Sequence, residues 1–341
     1  MIDNNVVNEI LNKATKQRRL TSLFFEITNK CNLNCVHCYL GTQRYEDWNT
    51  INIEKMIDIL KEAKQLGVFD IALTGGEIFT YKYWKELFLI IKQQGFNLVV
   101  FTNLVNLSEK DISFIRDVGV NALKISCYGM SKETYERTTR VRGSFAKYIE
   151  NKKLIDKYKI PHFFSNILLS TNEKEYKQMI EENGKRNLEL YIIDDLQHSK
   201  DPVSYRPHED VWNACHYEIM KDAKIDSSIW ENPNSYICTA GMARLTILQN
   251  GDVIPCINMR IPVGNIYTNS IKDIWFGDRL HDVLDKFKVA NFKKCYHCSN
   301  KKYLTHICPG SNYNDTGDYY IPSKFKCYMC DRNREVIESD I

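Results

Sequence analysis

Along the first two thirds of the chain, apolar positions alternate between two rhythms. Val6, Val7, Ile10, Leu11 and Ala14 recur at helical spacing and predict a leading helix over 6–19. Leu23-Phe24-Phe25-Glu26-Ile27 then reads as a buried strand. From there helices over 53–66, 83–94, 109–118, 145–158 and 173–183 alternate with strands over 69–73, 97–101, 122–126, 162–169 and 188–193. Gly67, Gly95 and Gly119 punctuate the joins. Six β–α units of this kind imply a parallel sheet with helices outside it. Periodicity alone leaves an open doubly wound sheet and a partial barrel equally open. Residues 194–207 are polar, hold two prolines and lack periodicity, so a domain boundary is expected there. Beyond it the chain is irregular and rich in Cys, Asn and Tyr.

Composition narrows the class. With 341 residues, 43% hydrophobic and 26% charged, the chain has room for a large domain and a small one. A net charge of +3 gives no case for nucleic acid or an acidic membrane. No apolar run reaches the roughly 18 residues that would span a bilayer, and residues 1–20 lack a signal-peptide layout. The expectation is a cytoplasmic protein with reduced thiols. That makes the 12 cysteines informative, because reduced clustered thiols read as metal or cluster ligands. Ten of them form two groups, three near the start and seven between Cys238 and Cys330.

The first group, Cys31-Asn-Leu-Asn-Cys35-Val-His-Cys38, puts three thiols on eight residues of a loop after a strand. Four thiolates normally close a cubane cluster. Three leave one iron with an open position, able to bind a ligand and pass it an electron. The competing reading is a zinc site that borrows His37, although zinc loops usually repeat C-x-x-C. The C-x-x-x-C-x-x-C spacing resembles the radical S-adenosylmethionine (SAM) superfamily, and further motifs extend the likeness. Thr74-Gly75-Gly76-Glu77, at the next strand end, is similar to the family's GGE motif. That resemblance implies that its backbone and Glu77 hold the amino group of SAM. Glycines suit such a place because a bare backbone approaches closely. Thr102-Asn103 resembles the family's strand-end TN, and Ser126 its SAM-contacting polar residue. Arg137 or Arg140 is a candidate partner of the SAM carboxylate, against the plainer reading of a solvated helix face. His37 is expected near the adenine. The implied fold is α/β, a partial (β/α)6 TIM-like barrel.

In the second group, Cys238 and Cys256 flank a hairpin whose turn is Asn250-Gly251. Cys295-Tyr-His-Cys298, Cys308-Pro-Gly and Cys327-Tyr-Met-Cys330 follow. A zinc ribbon would use two of these pairs and leave Cys238, Cys256 and Cys308 unexplained. The segment resembles a SPASM domain, the auxiliary-cluster module of many peptide-modifying radical SAM enzymes. Gly251 to Cys256 fits its G-x-x-x-x-C, and Gly264-Asn265-Ile266, Ile274-Trp275 and Thr316-Gly317-Asp318 resemble its connecting segments. Two departures stand out: the gap from Cys298 to Cys308 is long, and Asn312 occupies an expected cysteine position. The expected grouping is Cys295, Cys298 and Cys308 with Cys330 (or Cys327) around one cluster. Cys238 and Cys256 then need the other terminal cysteine or a non-cysteine ligand. The expected organisation is an N-terminal helix (1–20), the barrel (21–200), a linking segment with a helix (201–236) and a mostly irregular SPASM-type domain (237–341).

By resemblance, then, the chain is expected to cleave SAM reductively to a 5′-deoxyadenosyl radical and to modify a peptide oxidatively, forming a crosslink, a thioether or a related product. Its expected cofactors are SAM, a SAM-binding [4Fe–4S] cluster and one or two auxiliary clusters. An electron donor such as flavodoxin or ferredoxin is expected as a partner. Because the barrel begins about twenty residues in, either a separate leader-peptide-binding protein or direct capture of a short peptide is expected. Formylglycine-forming relatives carry Asp directly after the G-x-x-x-x-C cysteine, where this chain has Ile257. The alternatives are a radical SAM oxidoreductase acting on a small molecule or tetrapyrrole and, more distantly, a non-catalytic iron–sulfur or zinc protein. Cys127 and Cys215 both read as core residues, but Cys127, at a predicted strand end, is expected at the barrel mouth, where it is also a candidate hydrogen-atom donor.

Overall fold

The computed structural model describes residues 13–40, 50–185, 205–221, 225–304 and 307–339. The barrel elements are β1 (Ser22–Glu26), α1 (Ile53–Gln65), β2 (Asp70–Thr74), α2 (Trp84–Gln93), β3 (Asn97–Thr102), α3 (Glu109–Val118), β4 (Ala122–Cys127), α4 (Lys132–Thr139), α5 (Ser144–Lys157), β5 (His162–Asn166) and α6 (Tyr176–Lys185). After α7 (Glu209–Met220) come the short strands β6 (Arg244–Ile247), β7 (Asp252–Ile254) and β8 (Gly264–Asn265). The chain ends in α8 (Ile271–Phe276), α9 (Asp278–Asp285), α10 (Lys293–Tyr296), α11 (Pro309–Thr316) and α12 (Lys324–Ser339).

The eight strands form one sheet in the order β5-β4-β3-β2-β1-β6-β7-β8. β1 to β5 pair in parallel, as the alternation of strands and helices predicts. Alternate residues point to opposite faces. Leu23, Phe25, Ile71, Leu73, Leu98, Val100, Leu123 and Ile125 are fully buried, each side chain contributing about 1.5–3 kcal/mol. The other face is concave: Phe24 and Phe101, on strands two apart, meet edge to face with centroids 5.2 Å apart. Local chemistry starts and stops the helices. Ser108 and Asp111 form a capping box on α3, and Gly119 ends it in the left-handed region at φ 73°.

Three expectations need revision. The expected strand over 188–193 and most of the leading helix lie outside the described residues; of the latter a single turn over 13–16 is seen. The helix expected over 173–183 begins as a 3-10 turn, Glu173–Glu175, before α6. The third revision concerns the second cysteine group. Its first strand, β6, pairs in parallel with β1, Ser22 opposite Arg244, so the hairpin extends the barrel sheet instead of standing apart from it. Further on the C-terminal region is helical and irregular. Its last helix is anchored on α7, where the Tyr328 hydroxyl bonds Glu209 and Asn213, each at 2.8 Å, and His216 meets Asn333 at 2.7 Å. No helix among the described residues is long and apolar enough to cross a membrane.

Candidate active site at the strand ends

The loop carrying Cys31, Cys35 and Cys38 leaves β1 and lies across the ends of its neighbours. Backbone bonds hold it from two sides. Thr28 and Lys30 accept from Gly76 and Glu77 N–H at 2.7 and 2.8 Å, while Asn34 and Val36 N–H donate to Thr139 and Thr138 carbonyls at 3.0 Å each. The latter two carbonyls end α4, a helix absent from the sequence expectations. Its signal was present in Ser131, whose side chain caps it by accepting from Thr134 N–H.

The glycines of Thr74-Gly75-Gly76-Glu77 have a structural reason within the chain itself. A Cβ on Gly75 would sit 2.4 Å from the Thr28 carbonyl oxygen, and one on Gly76 would sit 2.3 Å from that of Lys30. The close approach they permit is to the chain's own cysteine loop. Glu77, 1% exposed, accepts from Thr102 Oγ1 at 2.8 Å, Asn103 N–H at 2.7 Å and Phe79 N–H at 3.3 Å. Burial raises its carboxyl to about 7 against the opposing pull of these donors. Its carboxylate therefore locks the ends of β2 and β3 together. Asn103 in turn donates to Asn32 Oδ1 at 2.8 Å, and its Nδ2 is 3.8 Å from Cys31 Sγ.

The remaining expected contacts divide. Ser126 lies on the concave face of β4 beside the buried Tyr128 phenol, and the His37 ring packs on Tyr128 at 4.9 Å. Arg137 and Arg140 are exposed. Arg137 donates to the Thr171 carbonyl, and Arg140 to the Tyr205 hydroxyl at 2.5 Å. Both guanidiniums are thus engaged on the rim. Cys127 is not at the mouth. It shares the convex face with Leu123 and Ile125, 5% exposed, beneath Tyr148, Ile149 and Lys152 of α5. The strand runs one residue further than expected, and strict alternation turns this thiol toward the helices. Cys215 is fully buried on α7, as expected.

A buried ion pair escaped the sequence reading. Glu26, fully buried, is bound at 2.8 Å by Arg260, four residues after Cys256, and the guanidinium stands 5.8 Å over the ring of Tyr39, next to Cys38. A charged residue inside the run Leu-Phe-Phe-Glu-Ile was the available clue. The Tyr39 hydroxyl donates to the Gly75 carbonyl at 3.3 Å. The pair thus joins the first cysteine loop to the second cysteine group.

The seven C-terminal thiols divide differently from the expected grouping. Gly241 N–H donates to the Pro255 carbonyl at 3.1 Å, bringing the Cys238 turn against Cys256. A Cβ on Gly310 would lie 1.8 Å from the Asn258 carbonyl oxygen, so the Cys308 turn presses on the same loop. Burial raises the Cys238 thiol to about 11, and the neighbours that raise it further are Cys308 and Cys256. Cys295, Cys298, Cys327 and Cys330 instead line one cavity with Asn312, Lys294 and Lys326. Burial, then Cys327 and Cys298, raise Cys295 to about 11. Cys308 therefore belongs with Cys238 and Cys256, because Pro309 and Gly310 turn it toward the Asn258 loop, and both terminal cysteines belong with Cys295 and Cys298.

Among the described residues no three Cys, His, Asp or Glu side chains converge tightly enough for a single metal ion. Looser groups of three, three and four thiols suit cubane clusters, whose irons hold their cysteines further apart than one zinc does. A bound cation would also lower these raised thiols.

Two family models match the chain: the radical SAM superfamily over residues 25–182, and an iron–sulfur cluster-binding domain, SPASM, over residues 238–299. The chain is 24% identical over 339 residues to the antilisterial bacteriocin subtilosin biosynthesis protein AlbA of Bacillus subtilis, with 92% of this chain and 72% of AlbA covered. It is 23% identical over 330 residues to the AdoMet-dependent heme synthase of Methanosarcina barkeri, with 86% and 93% covered. Among solved structures, Streptococcus suis SuiB bound to S-adenosylmethionine superposes with a TM-score of 0.66 at 15% identity, covering 95% of this chain and 83% of SuiB.

Proposed function

Since this chain belongs to the radical SAM superfamily and carries a SPASM domain, an enzyme that binds SAM, a [4Fe–4S] cluster and auxiliary iron–sulfur clusters, we propose that it is a peptide maturase. When bound, the first cluster supplies the electron that splits SAM into methionine and a 5′-deoxyadenosyl radical, which takes a hydrogen atom from the peptide. Cys31, Cys35 and Cys38 hold that cluster in this reading. Gly75, Gly76, Asn103, Ser126 and His37 face SAM. Glu77 orients the strand ends from beneath, and Arg137 and Arg140 shape the rim for the SAM carboxylate. The domain joint falls within 201–236.

One observation carries the peptide reading. Cys238, Cys256 and Cys308 come together from three turns, and the loop after Cys256 is tied into the barrel by Arg260 through Glu26. Three thiols would leave one iron of a cubane open to a ligand. The similarity to AlbA, whose name records bacteriocin biosynthesis, runs over 92% of the chain, and SuiB has been solved bound to precursor peptide SuiA. Similarity to a heme synthase over 86% of the chain favours a tetrapyrrole as the second reading.

The test is anaerobic turnover with SAM, a reductant and candidate precursor peptides, each tried in turn. The expected products are 5′-deoxyadenosine and a peptide lighter by two hydrogens. Deoxyadenosine formation stimulated by a tetrapyrrole, with the peptide mass unchanged, would reverse the assignment.

A further inference from the structure

The reaction proposed above consumes an electron that the chain does not itself supply, and the inference here rests on that demand. The barrel mouth is a poor place for a protein donor to deliver it. A docked protein there would cover the opening the substrate must use, although Cys31 and Cys38 are as partly buried as Cys298 and Cys327. The four-thiol site is differently placed. Cys298 and Cys327 are only partly buried, at a cavity that opens to solvent beside Lys294 and Lys326.

Charge collects around this cavity. Residues 293–334 hold eight Lys and Arg against three Asp and no Glu. Extended to Glu338 the segment keeps a surplus of three, equal to the net charge of the whole chain, so the rest of the molecule is neutral on balance. Arg332 and Arg334 are offset by Glu335 and Glu338, which leaves the lysines to set the local field. Lys294, Lys302 and Lys324 are exposed. Lys301 stays beside the thiols, its N–H on the Cys298 carbonyl and its ammonium on that of Tyr296 at 2.9 Å. The cavity's one carboxylate, Asp331, is engaged by Asn300 at 2.7 Å.

We propose that this lysine rim is the docking surface for an acidic one-electron carrier protein, which reduces the cluster held by Cys295, Cys298, Cys327 and Cys330. One electron leaves the carrier and one enters the cluster; no bond is made or broken. Charge complementarity selects the partner and speeds encounter. From this port, contiguous structure leads inward. Asn312 lines the cavity on the same helix, α11, that Cys308 caps. Gly310 presses on the Asn258 loop, and Arg260 of that loop reaches Glu26 at the barrel.

The test uses the reconstituted enzyme with Lys294→Glu and Lys326→Glu together, the two lysines that line the cavity, and a second variant with Gln at the same positions. Two reductants are compared: reduced flavodoxin, an acidic carrier, and reduced methyl viologen, a small cation that needs no docking surface. With flavodoxin the Glu variant should show a KM for the carrier raised about tenfold or more and a flattened salt dependence, the Gln variant lying between it and the parent. With methyl viologen, 5′-deoxyadenosine formation and iron content should match the parent. A carrier KM unchanged in both variants would falsify the docking surface, and so would a raised KM for the peptide in place of the carrier. No 5′-deoxyadenosine from the parent protein with either reductant would instead sink the proposed reaction itself.

Discussion

The barrel mouth and the C-terminal thiol sites solve the same problem by unlike means. At the mouth, three thiols ride on a loop held by four backbone hydrogen bonds to β2 and α4, and by the Glu77–Asn103–Asn32 chain. The scaffold there is a parallel sheet closed by its own backbone pairing. Of the C-terminal thiols, Cys295 sits on the short helix α10 and Cys308 caps α11. Cys327 and Cys330 ride on the 16-residue α12 that Tyr328 and Asn333 anchor to α7. Local bonds such as Cys298 N–H to Cys295 carbonyl and Ser311 N–H to Cys308 Sγ complete the turns. There the clusters are themselves part of the scaffold, since a metal that binds only the folded arrangement adds its binding energy to folding. Preformed sites are built for substrates that come and go; metal-built sites suit clusters that stay.

The difference can be broken most severely at the mouth. Cys31→Ala should abolish 5′-deoxyadenosine formation while removing about four irons per chain. The auxiliary clusters should keep their electron paramagnetic resonance signals, and loss of those signals too would deny the independence of the two regions. Next is the division of the C-terminal thiols. Cys308→Ala and Cys256→Ala should each cost about four irons, and the double variant no more than either. Adding Cys327→Ala to Cys308→Ala should cost about four more. An additive loss for Cys308 with Cys256 would restore the grouping expected from spacing.

Smaller in effect is the joint between the regions. Arg260→Met leaves the Glu26 carboxylate buried without its partner and should destabilise the protein by about 3–5 kcal/mol in chemical denaturation. Glu26→Leu combined with Arg260→Met should recover much of that loss. The finest probe is Glu77. Its carboxyl titrates near 7 in the fold, so its contribution is fully present below the unfolded value near 4.5 and is lost as pH rises through 7. Cluster-free protein should therefore lose on the order of 3 kcal/mol of stability between pH 5 and pH 8 relative to Glu77→Gln. Parallel pH profiles for the two proteins would place the carboxylate in a wetter setting.

The barrel was legible in the chain because its determinants are local. Apolar periodicity, the glycines between elements and the Cys31–Cys38 spacing each lie within a few residues. The α3 helix, Glu109–Val118, was expected over 109–118 with Gly119 at its end, as observed. What stayed hidden was long-range. Nothing near Cys308 announces Asn258 as its neighbour, or shows that Glu26 will meet Arg260, 234 positions away. The face taken by Cys127 turned on one residue of strand length, the difference to which a pleated strand is most sensitive.

The pairing of β6 with β1 has a consequence in time. Thr21 donates to the Ala243 carbonyl 222 positions later, so a ribosome working at 5–20 residues per second finishes the first strand's far neighbour roughly ten to forty-five seconds after the strand itself. Through that interval β1 keeps one open edge, directly below the loop that must receive iron. Folding of the nascent chain must therefore end where it began, and a ribosome stalled before β6 would present a barrel whose seam is still unsewn.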